Sequence, residues 1–164
     1  MADSLHQLGQ DFMYRRWDEF ISNTPTPKGL VYFHTIHKCI LMAYNQLNQV
    51  KLGRIVALSG TRVQSDLLND YQDLLNKTMR FDETSKKHAN VLYHLMGYLK
   101  DFLDTSQKTC LIDSIEEYRV GLTSINKPVG LFNRFIWEFP VQDWIRKQEY
   151  LKLYSNDIRK FTRS

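Results

Sequence analysis

The residues best suited to chemistry in this chain lie in KKHANVLYHLMGY, residues 86–98. Two histidines, an asparagine, a glycine and a tyrosine interrupt apolar residues that recur at helical spacing. At about 100° per residue, Asn90, His94 and Tyr98 share one face of a helix, and His88 falls among the leucines of the other. Imidazole, amide and phenol groups can stack on bases or bond to their edges, and an imidazole can act as an acid or base near neutral pH. We therefore expect His88 to be a core histidine and the opposite face to carry the function.

Gly97 and Lys87 line the same side of this helix as Asn90. A glycine inside a helix costs about 1 kcal/mol relative to alanine, so its presence needs a reason. Because glycine has no Cβ, we expect Gly97 to let a ligand or another backbone approach this face closely. Lys87 would bring a positive charge to the same place.

A second histidine pair occurs in FHTIHK, residues 33–38. His37 is predicted to project into the core, whereas His34 and Lys38 are predicted to lie together at the edge of the helix. Two histidines three positions apart could share a metal ion, but no Asp, Glu or Cys has matching spacing nearby. The two cysteines of the chain are also far from CxxC spacing, so the sequence predicts neither a metal site nor a cofactor.

Arg54, in LGRIVAL, falls among the apolar residues Leu47, Val50 and Leu58. If it is partly buried there, it needs an acidic partner or an anionic ligand, and phosphate would serve. The chain contains no nucleophile elbow, GxGxxG loop, Walker loop, HExxH or paired-carboxylate signature. No catalytic residue is therefore assigned, although histidine-based acid or base chemistry stays open as an alternative.

These residues must be positioned by helices. Over 164 residues, 43% of them hydrophobic, apolar side chains recur at helical spacing and no segment shows sustained two-residue alternation. The predicted fold class is all-α, a single-domain bundle of about six or seven helices. The predicted organisation is a leading helix and Pro-containing linker at 1–28, a helical domain at 29–154 and a basic tail at 155–164.

The formal net charge of the chain is +4, and basic residues concentrate near its C-terminus. The N-terminal residues lack a basic region followed by an apolar run, and no segment approaches the ~20 apolar residues that span a bilayer. We expect a cytoplasmic protein that does not contact a membrane.

Five segments resemble the YbgA-like family in their order and rough spacing: GLVYFHTIHKCILMAY, LGRIVA, KKHANVLYHLMGYLK, YRVG and QEYL. This bacterial domain, long labelled as of unknown function, is found alone or fused behind a thiouracil-desulfidase-like domain. The resemblance implies an all-helical domain. The fused proteins resemble enzymes that remove sulfur from 4-thiouridine in tRNA. For them, the resemblance implies that this domain holds the tRNA while the iron–sulfur desulfidase does the chemistry. The matching positions are Phe33, His34, His37, Lys38, Gly53, Arg54, Lys87, His88, Asn90, His94, Gly97, Tyr98, Tyr118, Arg119 and Tyr150.

The leading hypothesis is a non-catalytic module that binds tRNA or another RNA and is linked to 4-thiouridine metabolism. The alternatives are a small histidine-dependent enzyme acting on a nucleoside-like substrate, and an interaction module that docks a partner such as a separate desulfidase. The predicted RNA-binding residues are His34, Lys38, Arg54, Lys87, Asn90, His94, Tyr98 and Arg119, with the basic side chains on phosphates and Asn90, His94 and Tyr98 on a base or ribose.

Overall fold

The computed structural model of the chain describes residues 2–155, and the side chains from residue 5 onward. Within these residues every regular element is an α-helix, which confirms the all-α fold class. Apart from residue 155, the predicted basic tail lies outside the described residues. The helices are α1 Ala2–Ser22, α2 Pro27–Tyr44, α3 Gln46–Val56, α4 Gln64–Thr78, α5 Ser85–Leu99, α6 Thr105–Arg119, α7 Asn126–Glu138, α8 Asp143–Arg146 and α9 Glu149–Leu153.

The helices form two compact units that divide between Thr84 and Ser85. In the first unit, α2 packs against α1, α3 and α4, and α3 also packs against α4. The apolar face of α1 closes this core, because Met13 and Trp17 are buried in it. In the second unit, α5, α6 and α7 pack against one another, and the short α8 and α9 pack against α7.

The start of α2 lies inside the segment that the sequence suggested was a linker. Thr26 is its N-cap, and the Thr26 hydroxyl accepts the backbone N–H of Gly29 at 3.0 Å. Pro27 follows in the first turn, where its missing N–H costs nothing because those donors have no partner within the helix. The prediction that the linker extends to residue 28 is therefore wrong for its last two residues.

A capping box begins α6. The Asp104 carboxylate accepts the backbone N–H of Gln107 at 2.7 Å, and the Gln107 side chain accepts the N–H of Asp104 at 2.9 Å. Just before it, the chain leaves α5 in a turn in which the N–H of Phe102 bonds to the carbonyl of Leu99. Helix α5 ends at Leu99, although the apolar spacing continues through Phe102 and Leu103.

Within residues 2–155, none of the helices combines the length and the apolar character needed to cross a membrane. In that same part of the chain, no three His, Cys, Asp or Glu side chains are grouped so as to hold a metal ion.

Candidate functional site

Helix α5 presents two different faces, as its sequence predicted. His88 is fully buried, and its Nδ1 lies 2.8 Å from the Tyr150 hydroxyl on α9. The rings of Tyr118 and Tyr154 meet the imidazole edge-on, with centroids 6.2 and 5.0 Å away. The prediction that His88 is a core histidine bonded to a neighbouring helix is confirmed, and its structural role is to join α5 to α9.

The opposite side of α5 is exposed, and its rings extend onto α8. The ring of His94 meets that of Tyr98 at a centroid distance of 5.6 Å, and Tyr98 meets Trp144 of α8 at 5.0 Å. The interplanar angles of 78° and 89° make both contacts edge-to-face, a favourable geometry for aromatic pairs. We call this surface the α5 face; it comprises Asn90, His94, Gly97, Tyr98 and Trp144.

Gly97 lies in open space on the α5 face. A Cβ built at this position would have no atom within 4 Å, apart from its own helix and chain neighbours. The room that the missing side chain provides is therefore not filled by another described segment of this chain. Packing against the described residues therefore does not explain why this position holds glycine, which destabilises a helix relative to alanine.

Beside the α5 face, Tyr93 and Arg119 share a carboxylate. The Tyr93 hydroxyl donates to Glu116 at 2.6 Å, and Arg119 donates to the same carboxylate at 2.8 and 3.0 Å. These two donors, Arg119 first, lower the pKa of Glu116, while burial and then Glu116 raise the pKa of Tyr93 to about 12. Arg119 is exposed, as a phosphate contact requires, but part of its guanidinium is already engaged.

The first unit holds the other predicted residues, and the predicted position of His34 is wrong. His34 is not at an edge: it is 7% exposed, because α3 and α4 both cover it. Its Nδ1 lies 3.0 Å from the Tyr71 hydroxyl, and a Cβ at Gly53 would come within 3.3 Å of its Nε2. Burial, and to a smaller extent the charge of Lys38, lowers the pKa of His34 to about 4.

His37 lies fully buried, which confirms its predicted place in the core. Its Nδ1–H donates to the Phe33 carbonyl at 2.7 Å, so its Nε2 is free to accept the N–H of Arg16 at 3.3 Å. Burial, and then the positive charge of Arg16, lowers the pKa of His37 to about 3. Both histidines of α2 are therefore neutral near pH 7 and hold helices together, and neither presents a free imidazole for acid or base chemistry.

Arg54 is solvent-exposed on α3. The apolar residues around it in the sequence, Leu47, Val50 and Leu58, are exposed as well. Arg54 is thus not a semi-buried cation in need of a partner, and it is available to an anion in solution. Lys38 is half-buried on α2.

The predicted RNA-binding residues divide between the two units. His34, Lys38 and Arg54 belong to the first unit, and the α5 and α6 residues belong to the second. Within the second unit, the structure brings Asn90, His94 and Tyr98 onto one exposed surface. Sequence reasoning missed Trp144, because only tertiary packing shows that α8 places it against Tyr98.

Comparisons with known proteins show the family of this chain. The family described as "Protein of unknown function (DUF1722)" matches residues 38–155. The chain belongs to the DUF1722 family. This DUF1722 chain is also 25% identical over 134 residues to "Uncharacterized protein YbgA" from Escherichia coli (strain K12), an alignment that covers 81% of this chain and 79% of that protein. The YbgA-like resemblance is thereby confirmed. No solved structure matches the DUF1722 chain.

Proposed function

We propose that this YbgA-like chain is a non-catalytic RNA-binding module whose ligand is tRNA and whose biological context is 4-thiouridine metabolism. The observation that carries the proposal is the exposed row of rings on the α5 face, next to Asn90. Proteins that recognise unpaired RNA stack bases on exposed aromatic rings and bond to the base edges with side chains such as asparagine.

The open position at Gly97 gives a base or ribose room to approach. Tyr98 lies beside it and is 39% exposed, so a planar ligand can reach the phenol ring. A stacked base contributes about 1–3 kcal/mol, and it needs only an accessible ring face, whatever the base. The α5 face thus offers stacking and hydrogen-bonding groups within one helix and its neighbour.

The charge of the chain supports the same ligand. Residues 1–84 contain nine basic and nine acidic residues, whereas residues 85–164 contain thirteen basic and nine acidic residues. The whole formal charge of +4 is therefore carried by the part of the sequence that contains the α5 face. Lys86 and Lys100 lie near the two ends of α5 and are exposed. Their positive charges would attract RNA phosphates to this helix.

The link to thiolated nucleosides rests on the resemblance to the fused proteins. A four-cysteine iron–sulfur site cannot be built from these 164 residues, which contain only Cys39 and Cys110. Cys39 is buried, and burial raises the pKa of its thiol to about 12, so it is not a reactive thiolate. Any desulfidation would need cluster-binding cysteines from outside these 164 residues, while this module holds the RNA.

Filter binding of tRNA and of duplex DNA, across a series of salt concentrations, tests the proposal. We expect preference for tRNA, affinity that falls with salt, and a loss of about tenfold for Tyr98→Ala, the effect of one lost stack. Tyr32→Ala is the matched control, because Tyr32 is an exposed tyrosine of the first unit. The absence of a tRNA preference, or equal effects of the two variants, would contradict the proposal.

Two further comparisons sharpen this experiment. Gly97→Ala adds a methyl group to the α5 face and should weaken tRNA binding, whereas Gly130→Ala, in open space on α7, should not. tRNA with and without 4-thiouridine separates general RNA binding from recognition of the modified base. If Asn90→Ala leaves tRNA affinity intact but abolishes binding of a purified desulfidase, the α5 face is a protein-docking surface instead.

A further inference from the structure

Trp137, in the last turn of α7, is the most exposed tryptophan in the described part of the chain. It is 69% exposed, whereas Trp17 is buried in the first unit and Trp144 is half-buried against Tyr98. Tryptophan is usually well buried, and it is one of the residues enriched at binding interfaces. The packing of α7 does not explain Trp137, since the buried face of that helix is formed by other residues.

Arg146 of α8 lies over the ring of Trp137, with its Cζ 5.4 Å from the ring centroid. Its Nε donates to the Ile136 carbonyl at 2.9 Å and its Nη2 donates to the Phe139 carbonyl at 2.6 Å. The guanidinium is thus anchored at the C-terminal end of α7, where the helix dipole favours a cation. An anchored arginine is already oriented for an anion and loses little freedom on binding.

Two of the five N–H donors of Arg146 are used by these carbonyls, which leaves three for a ligand. Within residues 2–155, no carboxylate forms an ion pair with Arg146. The acidic residues nearest to it in the sequence pair with lysines instead: Asp143 with Lys147 at 3.3 Å and Glu149 with Lys152 at 3.6 Å. Glu138 pairs with Arg134 at 3.4 Å. In this part of the chain Arg146 is therefore not neutralised by a carboxylate, and it lies against an indole ring that is largely exposed.

We propose that Trp137 and Arg146 form a nucleotide site, in which an unpaired base stacks on Trp137 and its phosphate binds Arg146. This inference rests on the proposed function and narrows its ligand to single-stranded segments of RNA, because a base within a duplex cannot leave its stack to cover an indole without a penalty. An aromatic ring beside an arginine is the combination that binds single strands with little sequence preference. The excess of basic residues in 85–164 favours a polyanion over an apolar protein partner.

The test measures binding of a short unpaired RNA, the same sequence as a duplex, and intact tRNA to the full chain. Trp137→Ala should weaken the affinity for the unpaired RNA about tenfold and leave the affinity for the duplex unchanged. Leu122→Ala, which removes an exposed apolar side chain of the same unit, is the matched control and should change neither. Unpaired RNA should also quench tryptophan emission of the wild type more than that of Trp137→Phe. Arg146→Lys keeps the positive charge but should reduce the affinity for unpaired RNA, since lysine cannot donate to two carbonyls and a phosphate in one plane. Circular dichroism checks that this variant folds.

The outcomes separate this inference from the proposed function. If the wild type binds tRNA with salt-dependent affinity, but Trp137→Ala binds unpaired RNA normally and quenching is equal in Trp137→Phe, the nucleotide site is refuted and the RNA-binding function stands. If the wild type binds no RNA, both are refuted. Self-association of the wild type in sedimentation, abolished by Trp137→Ala while RNA affinity is unchanged, would show that Trp137 contacts a second copy of the chain and would also refute the site.

Discussion

Acidification is expected to destabilise the first unit through its two buried histidines. In the folded chain, the pKa of His34 is lowered from 6.5 to about 4, and that of His37 to about 3. Unfolding returns both imidazoles to water, where they take up protons below about pH 6.5. The unfolded state therefore binds more protons, and stability rises with pH in this range. The contribution of the neutral histidines is complete above the unfolded pKa and is lost as the pH falls toward the folded values.

The magnitude follows from the size of these pKa shifts. Each histidine changes the free energy of unfolding by about 1.4 kcal/mol per pH unit in the interval between its two pKa values. Between about pH 7.5 and about pH 4.5 this removes about 2–3 kcal/mol per histidine, because the full slope applies only below the unfolded pKa. A loss of that size is a large share of the ~5–15 kcal/mol that stabilises a typical domain.

Urea unfolding of the wild type and of His37→Gln at the two pH values measures this effect. Carboxylates titrate over the same range, but they are present in both proteins, so the difference in pH dependence belongs to His37. We expect His37→Gln to be less stable at neutral pH, because the bonds to Phe33 and Arg16 are disturbed, and to lose about 2–3 kcal/mol less on acidification. Equal pH dependence in the two proteins would refute a neutral, buried His37.

Three further predictions concern local stability. Gly97→Ala and Gly130→Ala should each raise the free energy of unfolding by about 0.5–1 kcal/mol, because both Cβ positions are open. A lower stability of either variant in thermal unfolding would show that the glycine has a packing role. Asp104→Ala removes the capping box of α6 and should lower stability by about 1 kcal/mol in urea unfolding, whereas Asp104→Ser should recover most of it. Tyr150→Phe removes the hydroxyl that meets His88 at 2.8 Å and should cost about 1–3 kcal/mol, and an unchanged midpoint in urea would show that this bond contributes nothing.

Much of the fold follows from helical periodicity. Apolar residues at helical spacing predicted an all-α chain, and the structure confirms this fold class. The spacing does not show where each helix ends, because caps decide the ends. Residues 27–28 belong to α2 and not to the linker, because Thr26 caps the helix. A threonine followed by a proline is a signal for a helix start, but prolines are also typical of linkers. The apolar spacing does not predict where α5 ends, because Phe102 and Leu103 continue this spacing past the last helical turn.

The two faces of α5 show which part of the site a sequence can predict. His88 lies among leucines at helical spacing, and this alone placed it in the core. Asn90, His94 and Tyr98 lie opposite, and they are exposed as expected. Periodicity separates the faces of one helix correctly when only one of them is apolar.

What the sequence by itself determined is therefore the all-α class, the core positions of His37 and His88, and the polar face of α5. Only the tertiary structure decided that His34 is covered by α3 and α4, that Trp144 extends the row of rings, and that Arg146 is anchored over Trp137. The physical reason is that periodicity describes one helix at a time. Whether a polar residue at the margin of an apolar face meets water or a neighbouring helix depends on partners tens of residues away in the chain, and their approach is set by packing.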